Sequence, residues 1–145
     1  MSWTNFDLVD VFSVSGEFGV FARQDIPENS VVGVFDGVVE VFSVDESGQV
    51  DWQGHDGRMS IHLKLSGRKL YTIMPIPGRA ICGIDYINHS CVPNCRADAG
   101  VLVVETIRVI PRGEQLTLNY HDMDLIKLGQ PCWCKDIPED KRCIL

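Results

Sequence analysis

The residue types best equipped for chemistry in this chain fall in four short stretches. Tyr86-Ile87-Asn88-His89-Ser90-Cys91-Val92-Pro93-Asn94-Cys95 gathers amides, an imidazole, a hydroxyl and two thiols around a proline. Pro93 removes a backbone donor and biases Val92 towards an extended conformation, while Asn88, Ser90 and Asn94 favour turns through side-chain bonds to nearby backbone. Thiols at such a bend can face a metal or a cleft; a buried turn with satisfied polar groups is the plainer alternative. Cys132, Cys134 and Cys143 stand in the last 14 residues. Six cysteines could form three disulfides in a secreted protein, but with no signal peptide apparent, the crowding of the tail favours metal ligation. Tyr120 closes the alternating run Leu116-Thr117-Leu118-Asn119-Tyr120, so its phenol stands at a strand end, aimed into a site or into solvent. Gly16 and Gly19, around Glu17 and Phe18, allow the backbone to approach a ligand closely, or simply to turn.

Strands are the elements available to position these groups. Branched and aromatic residues dominate Asn5 to Ser15, and the chain turns at Ser15-Gly16, with Gly19 expected in the next turn before Val20. Val31 to Phe35 and Val38 to Val44 read as a hairpin around Asp36-Gly37. Asp45 to Gly57 is polar, glycine-containing and expected to be exposed. Ile61 to Leu65 and Lys69 to Ile73 read as a second hairpin around Ser66-Gly67, ended by Pro75, Pro77 and Gly78. Val101 to Thr106 and Gln115 to Leu118 are further strands, separated by a turn at Pro111-Arg112-Gly113. A short helix is expected over Met123 to Leu128, and the tail from Pro131 reads as loop. The fold class is mainly β.

Bulk properties narrow the function classes. At 145 residues the chain is one domain with enough length for a core. Its 20 acidic and 13 basic residues give a formal charge of −7, which disfavours direct nucleic-acid binding. No apolar run approaches a membrane span, and the start lacks the pattern of a secretory leader. A cytoplasmic or nuclear location is expected rather than secretion. Oligomeric state is open, with a dimer one option.

The central stretch resembles the core motif of the SET-domain lysine methyltransferases, and the other stretches agree in order. Gly16-Glu17-Phe18-Gly19-Val20-Phe21-Ala22 resembles the family's glycine-rich opening. Ile110-Pro111-Arg112-Gly113-Glu114-Gln115-Leu116-Thr117-Leu118-Asn119-Tyr120 looks like the stretch ending in its active-site tyrosine. Cys132-Trp133-Cys134 with Cys143 resembles the cysteines that follow the domain in many members. The resemblance implies a fold of several small sheets with a C-terminal pseudoknot and a zinc-stapled tail. It divides the chain into a SET domain over 1–120, with 45–57 a variable insertion, and a tail over 121–145.

The same resemblance implies S-adenosylmethionine as methyl donor and the lysine of a protein or peptide, a histone tail among them, as acceptor. It makes Tyr120 catalytic, gives Gly16, Glu17, Phe18, Gly19, Asn88, His89 and Trp133 to the cofactor, and puts Leu118 and Tyr86 at the substrate channel. Zn2+ would be held by Cys91, Cys132, Cys134 and Cys143, with Cys95 as a competing ligand. Lysine has a reference pKa near 10.4, but burial beside a sulfonium disfavours a second positive charge, so positioning can replace a general base. Leu118, two residues before the tyrosine, lacks the hydroxyl that limits some members to a single methyl, so more than one methyl is expected. Some positions depart from the family pattern: Asp85 and Tyr86 stand where an arginine and an aromatic are usual, and Met59 or Ser60 replaces a channel tyrosine. These changes favour, as an alternative, a small amine or other non-protein acceptor; a non-catalytic peptide-binding module, whose mark would be a lost Tyr120 or Asn88, ranks last because both are present.

Overall fold

The computed structural model describes residues 2–97, 102–125, 132 and 138–141. In chain order its strands are β1 (Trp3–Thr4), β2 (Val9–Val14), β3 (Glu17–Ala22), β4 (Val31–Val34), β5 (Val38–Ser43), β6 (Ile61–Ser66), β7 (Lys69–Met74), β8 (Asn88–His89), β9 (Cys95–Ala97), β10 (Val103–Thr106) and β11 (Gln115–Leu118). Short 3-10 turns cover Gly57–Met59, Gly83–Tyr86, Tyr120–Met123 and Glu139–Lys141, and no α-helix occurs among the described residues. The strands form three small sheets, ordered β1-β4-β10-β9, β2-β3-β11-β8 and β5-β7-β6.

A hairpin forms at the expected Ser15-Gly16 turn, and the expected β6–β7 hairpin forms with its turn one residue later. β2 and β3 pair from Val9 with Ala22 to Val14 with Glu17. Ser15 and Gly16 both have positive φ (53° and 83°), the backbone of a two-residue turn whose twist matches its strands. β6 and β7 pair out to Ser66 with Lys69, so the turn is Gly67-Arg68 rather than the expected Ser66-Gly67, with Gly67 at φ 59°.

The Asp36-Gly37 hairpin does not form. β4 pairs with β1 and β10, whereas β5 pairs with β7, so Asp36-Gly37 carries the chain from one sheet to another. Gly37 is needed there for space: a Cβ would stand 2.2 Å from the Met74 carbonyl oxygen. Gly19 is likewise no turn residue; it lies inside β3 opposite Phe12. Its missing side chain makes room for Gln115, whose Oε1 would lie 2.7 Å from a Cβ.

The segment from 45 to 57 is largely exposed, yet it is pinned locally. Val44 bridges to Val50, and Trp52 packs on Phe42 with ring centroids 5.0 Å apart. The expected Met123–Leu128 helix is replaced at its start by the Tyr120–Met123 turn, and its remainder from 126 lies outside the described residues.

The core runs between the first two sheets, through Val9, Val20, Val32, Ile84, Val104, Ile110, Leu116 and Leu118. On β11 the burial alternates, with Leu116 and Leu118 inward. Alternation of this kind fixes register, because a one-residue slip would turn both leucines to solvent.

Candidate active site

The site is assembled where β11 meets the central stretch. β11 lies between β3, antiparallel, and β8, parallel, with Thr117 opposite Asn88 and Leu118 opposite His89. The Ser90 N–H extends this ladder to the Leu118 carbonyl at 2.8 Å. Asn94, 3% exposed, then stitches the following bend to the same strand. Its Nδ2 donates to the Gln115 carbonyl and its Oδ1 accepts from the Thr117 N–H, both at 2.8 Å. One amide side chain thus replaces a strand partner for β11. The turn propensity of Asn94 was legible in the sequence; this cross-strand role, set by a partner 21 to 23 residues away, was not.

Tyr120 follows at the end of β11. Its hydroxyl donates to the Ile87 carbonyl at 2.6 Å, and its backbone N–H donates to His89 Nδ1 at 3.1 Å. Burial, followed by the nearby Asp124 carboxylate, pushes the phenol up to about 12, so it keeps its proton at neutral pH. A group of that kind can orient a reactant but cannot serve as a base. Tyr120 lines a cavity of about 180 Å³ with Ile61, Ile73, Met74, Ile87 and Asp124 among its walls. Burial raises the Asp124 carboxyl to about 6. At another edge of the cavity, Asp36 is paired with Arg79. Leu118 is in the core and Tyr86 stacks against Phe18 at 4.9 Å; neither is among the residues lining this cavity.

A second polar junction follows Ile87 in the chain, at Asn88. Asn88 Nδ2 donates to the Phe18 carbonyl and to Gln115 Oε1, both at 2.8 Å. Both of its amide protons are therefore used within the fold, which leaves Oδ1 as the outward acceptor. Such an oxygen suits an ammonium rather than a carboxylate. Gly19 faces the same point, with a Cβ there 3.3 Å from Asn88 Nδ2. Gly16, Glu17 and Phe18 are exposed on the adjoining hairpin. The exposed backbone from Gly16 to Phe18 and the Asn88 oxygen fit the amino-acid end of a zwitterionic cofactor. Trp133 lies outside the described residues.

The metal expectation divides in the same way. Cys91 Sγ and Cys132 Sγ are 3.4 Å apart, and with His89 Nε2 they form a group of ligand atoms all within 4.8 Å of one another. That sulfur separation is well beyond a disulfide of about 2.05 Å. It is near the roughly 3.8 Å expected of two thiolates about 2.3 Å from a tetrahedral metal. Two of the expected ligands are brought together; Cys134 and Cys143 lie outside the described residues. Cys95 is buried in the core on β9 and outside this group. Burial pushes its thiol up to about 12, so it stays protonated and is a poor ligand.

Comparison with known proteins bears on this arrangement. A family model described as SET domain matches residues 17–121. Two curated relatives, the histone-lysine N-methyltransferases 2D of Homo sapiens and Mus musculus, are each 39% identical to this chain over 56 residues. The matches cover 34% of this chain and 1% of each relative.

Proposed function

Because the chain belongs to the SET-domain family, we propose that it transfers a methyl group from S-adenosylmethionine to the ε-amine of a protein lysine. The observation that carries this reading is Tyr120: a neutral hydroxyl, fixed on the Ile87 carbonyl, at the wall of a mostly apolar cavity. The cofactor supplies an electrophilic methyl on a sulfonium. The protein's part is alignment, desolvation and control of protonation.

The elements divide that work. Ile61, Ile73, Met74 and Ile87 give the acceptor side chain an apolar passage that disfavours the ammonium form and excludes water. The Tyr120 hydroxyl and the Ile87 carbonyl offer lone pairs to hold the amine in line. Asn88 Oδ1 and the exposed backbone from Gly16 to Phe18 would hold the amino-acid end of the donor. Alignment of two reactants in this way can supply most of the rate.

The relatives' names make a histone-type lysine the first acceptor to test. More than one methyl per lysine is kept as the product state to test on the family resemblance alone, since Leu118 lies in the core and not on the wall of this cavity. Incubation with labelled cofactor and a lysate separated into protein and small-molecule fractions tests the reading. Label in the protein fraction, recovered as methyl-lysine, is expected. Label confined to the small-molecule fraction would point to a small amine acceptor. No label anywhere, with cofactor bound, would leave a binding module.

A further inference from the structure

The His89 imidazole lies between the Tyr120 backbone and the Cys91 thiol. Its Nδ1 is 3.1 Å from the Tyr120 backbone nitrogen and its Nε2 is 3.4 Å from Cys91 Sγ. The ring is buried, with 4% exposure. By proximity alone, His89, Cys91 and Cys132 make a plausible set of three metal ligands. The hydrogen bonding argues otherwise.

A backbone N–H can only donate. Nδ1 of His89 must therefore present its lone pair to Tyr120 and carries no proton. A neutral imidazole that accepts at Nδ1 carries its proton on Nε2. Metal ligation through Nε2 would need the opposite tautomer, with two N–H groups facing each other at Tyr120. Histidine ligands ordinarily donate their second N–H to a carbonyl or carboxylate; here the second nitrogen accepts. We infer that His89 is not a ligand at the Cys91–Cys132 metal site but donates Nε2–H to the Cys91 thiolate, tying that site to the backbone of Tyr120. His89 is thus a positioning residue. It rests on one side on the sulfur of a ligand and on the other on the residue that carries the reactive hydroxyl.

The inference has a structural consequence. Tyr120 is held at its N–H by His89 and at its hydroxyl by Ile87, two residues apart on the same segment. If Cys91 shifts when metal is removed, the imidazole loses its sulfur partner, and the Tyr120 N–H is the next group affected. Chelation should therefore disturb Tyr120 before it disturbs the β2–β3 hairpin, which is tied to β8 through Asn88 and Phe18.

The inference rests on the reading that Cys91 and Cys132 bind metal, and its test separates the two. Zinc-loaded, 15N-labelled wild-type protein is studied by long-range nitrogen–proton correlation of the histidine rings. The expected result is a His89 with protonated Nε2 and unprotonated Nδ1 while zinc is bound. A metal-bound Nε2 with Nδ1–H would overturn the inference and leave the metal site standing. A protein that takes up neither zinc nor cobalt would remove the metal reading and the inference with it. As a second measurement, cobalt-loaded His89→Gln should keep the wild-type ligand-field bands and thiolate charge-transfer intensity, whereas Cys91→Ser should lose intensity. Cobalt affinity of His89→Gln should fall roughly tenfold to a hundredfold, the range for partners that support a ligand. Bands in His89→Gln that change as they would on loss of a nitrogen ligand would contradict the assignment.

Discussion

The Tyr120 hydroxyl donates to the Ile87 carbonyl at 2.6 Å across 33 residues of sequence. That bond joins the end of β11 to the residue just before β8, and it fixes the direction in which the phenol oxygen turns its lone pairs. Tyr120→Phe keeps the ring and removes the bond. Methyl transfer is expected to slow by on the order of a hundredfold or more, the usual result of losing one aligning group. Cofactor affinity should stay within about twofold, because Asn88 and the backbone from Gly16 to Phe18 are untouched. Single-turnover transfer and calorimetry together check this; an equal fall in both would mean that Tyr120 serves binding instead.

Asn94 offers a test of the scaffold. In Asn94→Ala the Gln115 carbonyl and the Thr117 N–H lose their partner in a buried place. Each buried polar group left alone costs about 1–3 kcal/mol, so a loss of roughly 2–6 kcal/mol is expected in denaturant unfolding. A change below about 0.5 kcal/mol would mean that β11 does not depend on this amide.

How much of this was readable beforehand follows from what each residue answers to. The β6–β7 hairpin and the turn at Ser15-Gly16 were legible because alternation and turn-forming residues are local signals, and Ser15, Gly16 and Gly67 have the positive φ such turns use. Gly37 and Gly19 misled because their glycines serve close approach, to the Met74 carbonyl and to Gln115, and nothing local distinguishes that use from a turn. β1, β8 and β9 are two or three residues long and exist only through distant partners, so they leave no periodic trace. Motif order singles out Asn88, Cys91 and Tyr120 as candidates, and the fold sets all three at or beside β8 and the end of β11. The roles of Asn94 and of the His89 ring were not legible, since they depend on which backbone donor each side chain meets.

Gly19→Ala should weaken cofactor binding without unfolding the protein. The new methyl would press on Gln115 Oε1 and Asn88 Nδ2, at 2.7 and 3.3 Å, and displace the amide that aims Asn88 Oδ1 outward. A loss of roughly tenfold in affinity, about 1.4 kcal/mol, is expected by calorimetry, with the circular dichroism spectrum unchanged. Full affinity in the variant would separate Gly19 from the cofactor site.

Asp124 makes the fold sensitive to pH in a defined direction. Its carboxyl is raised by burial to about 6, from an ordinary 3.8. Between those values the folded protein holds a proton that the unfolded chain has released. The stabilising contribution is therefore complete below 3.8 and is lost as pH rises through 6. Asp124→Asn should abolish this loss, so the variant's melting temperature should gain on wild type between pH 4.5 and pH 7. A difference in melting temperature that stays constant over that range would show that Asp124 is solvated in solution.

The central claim, methyl transfer to protein lysine, is tested most directly by mass spectrometry of a defined acceptor. Purified protein, excess S-adenosylmethionine and a lysine-bearing histone-tail peptide are incubated and sampled over time, with Tyr120→Phe as the control. The account predicts mass increments of successive methyl groups on lysine, reaching at least the dimethyl state in wild type and nearly absent in the control. Equal methylation by the Tyr120→Phe protein, or methyl groups appearing only on small amines when both acceptors are offered, would contradict it.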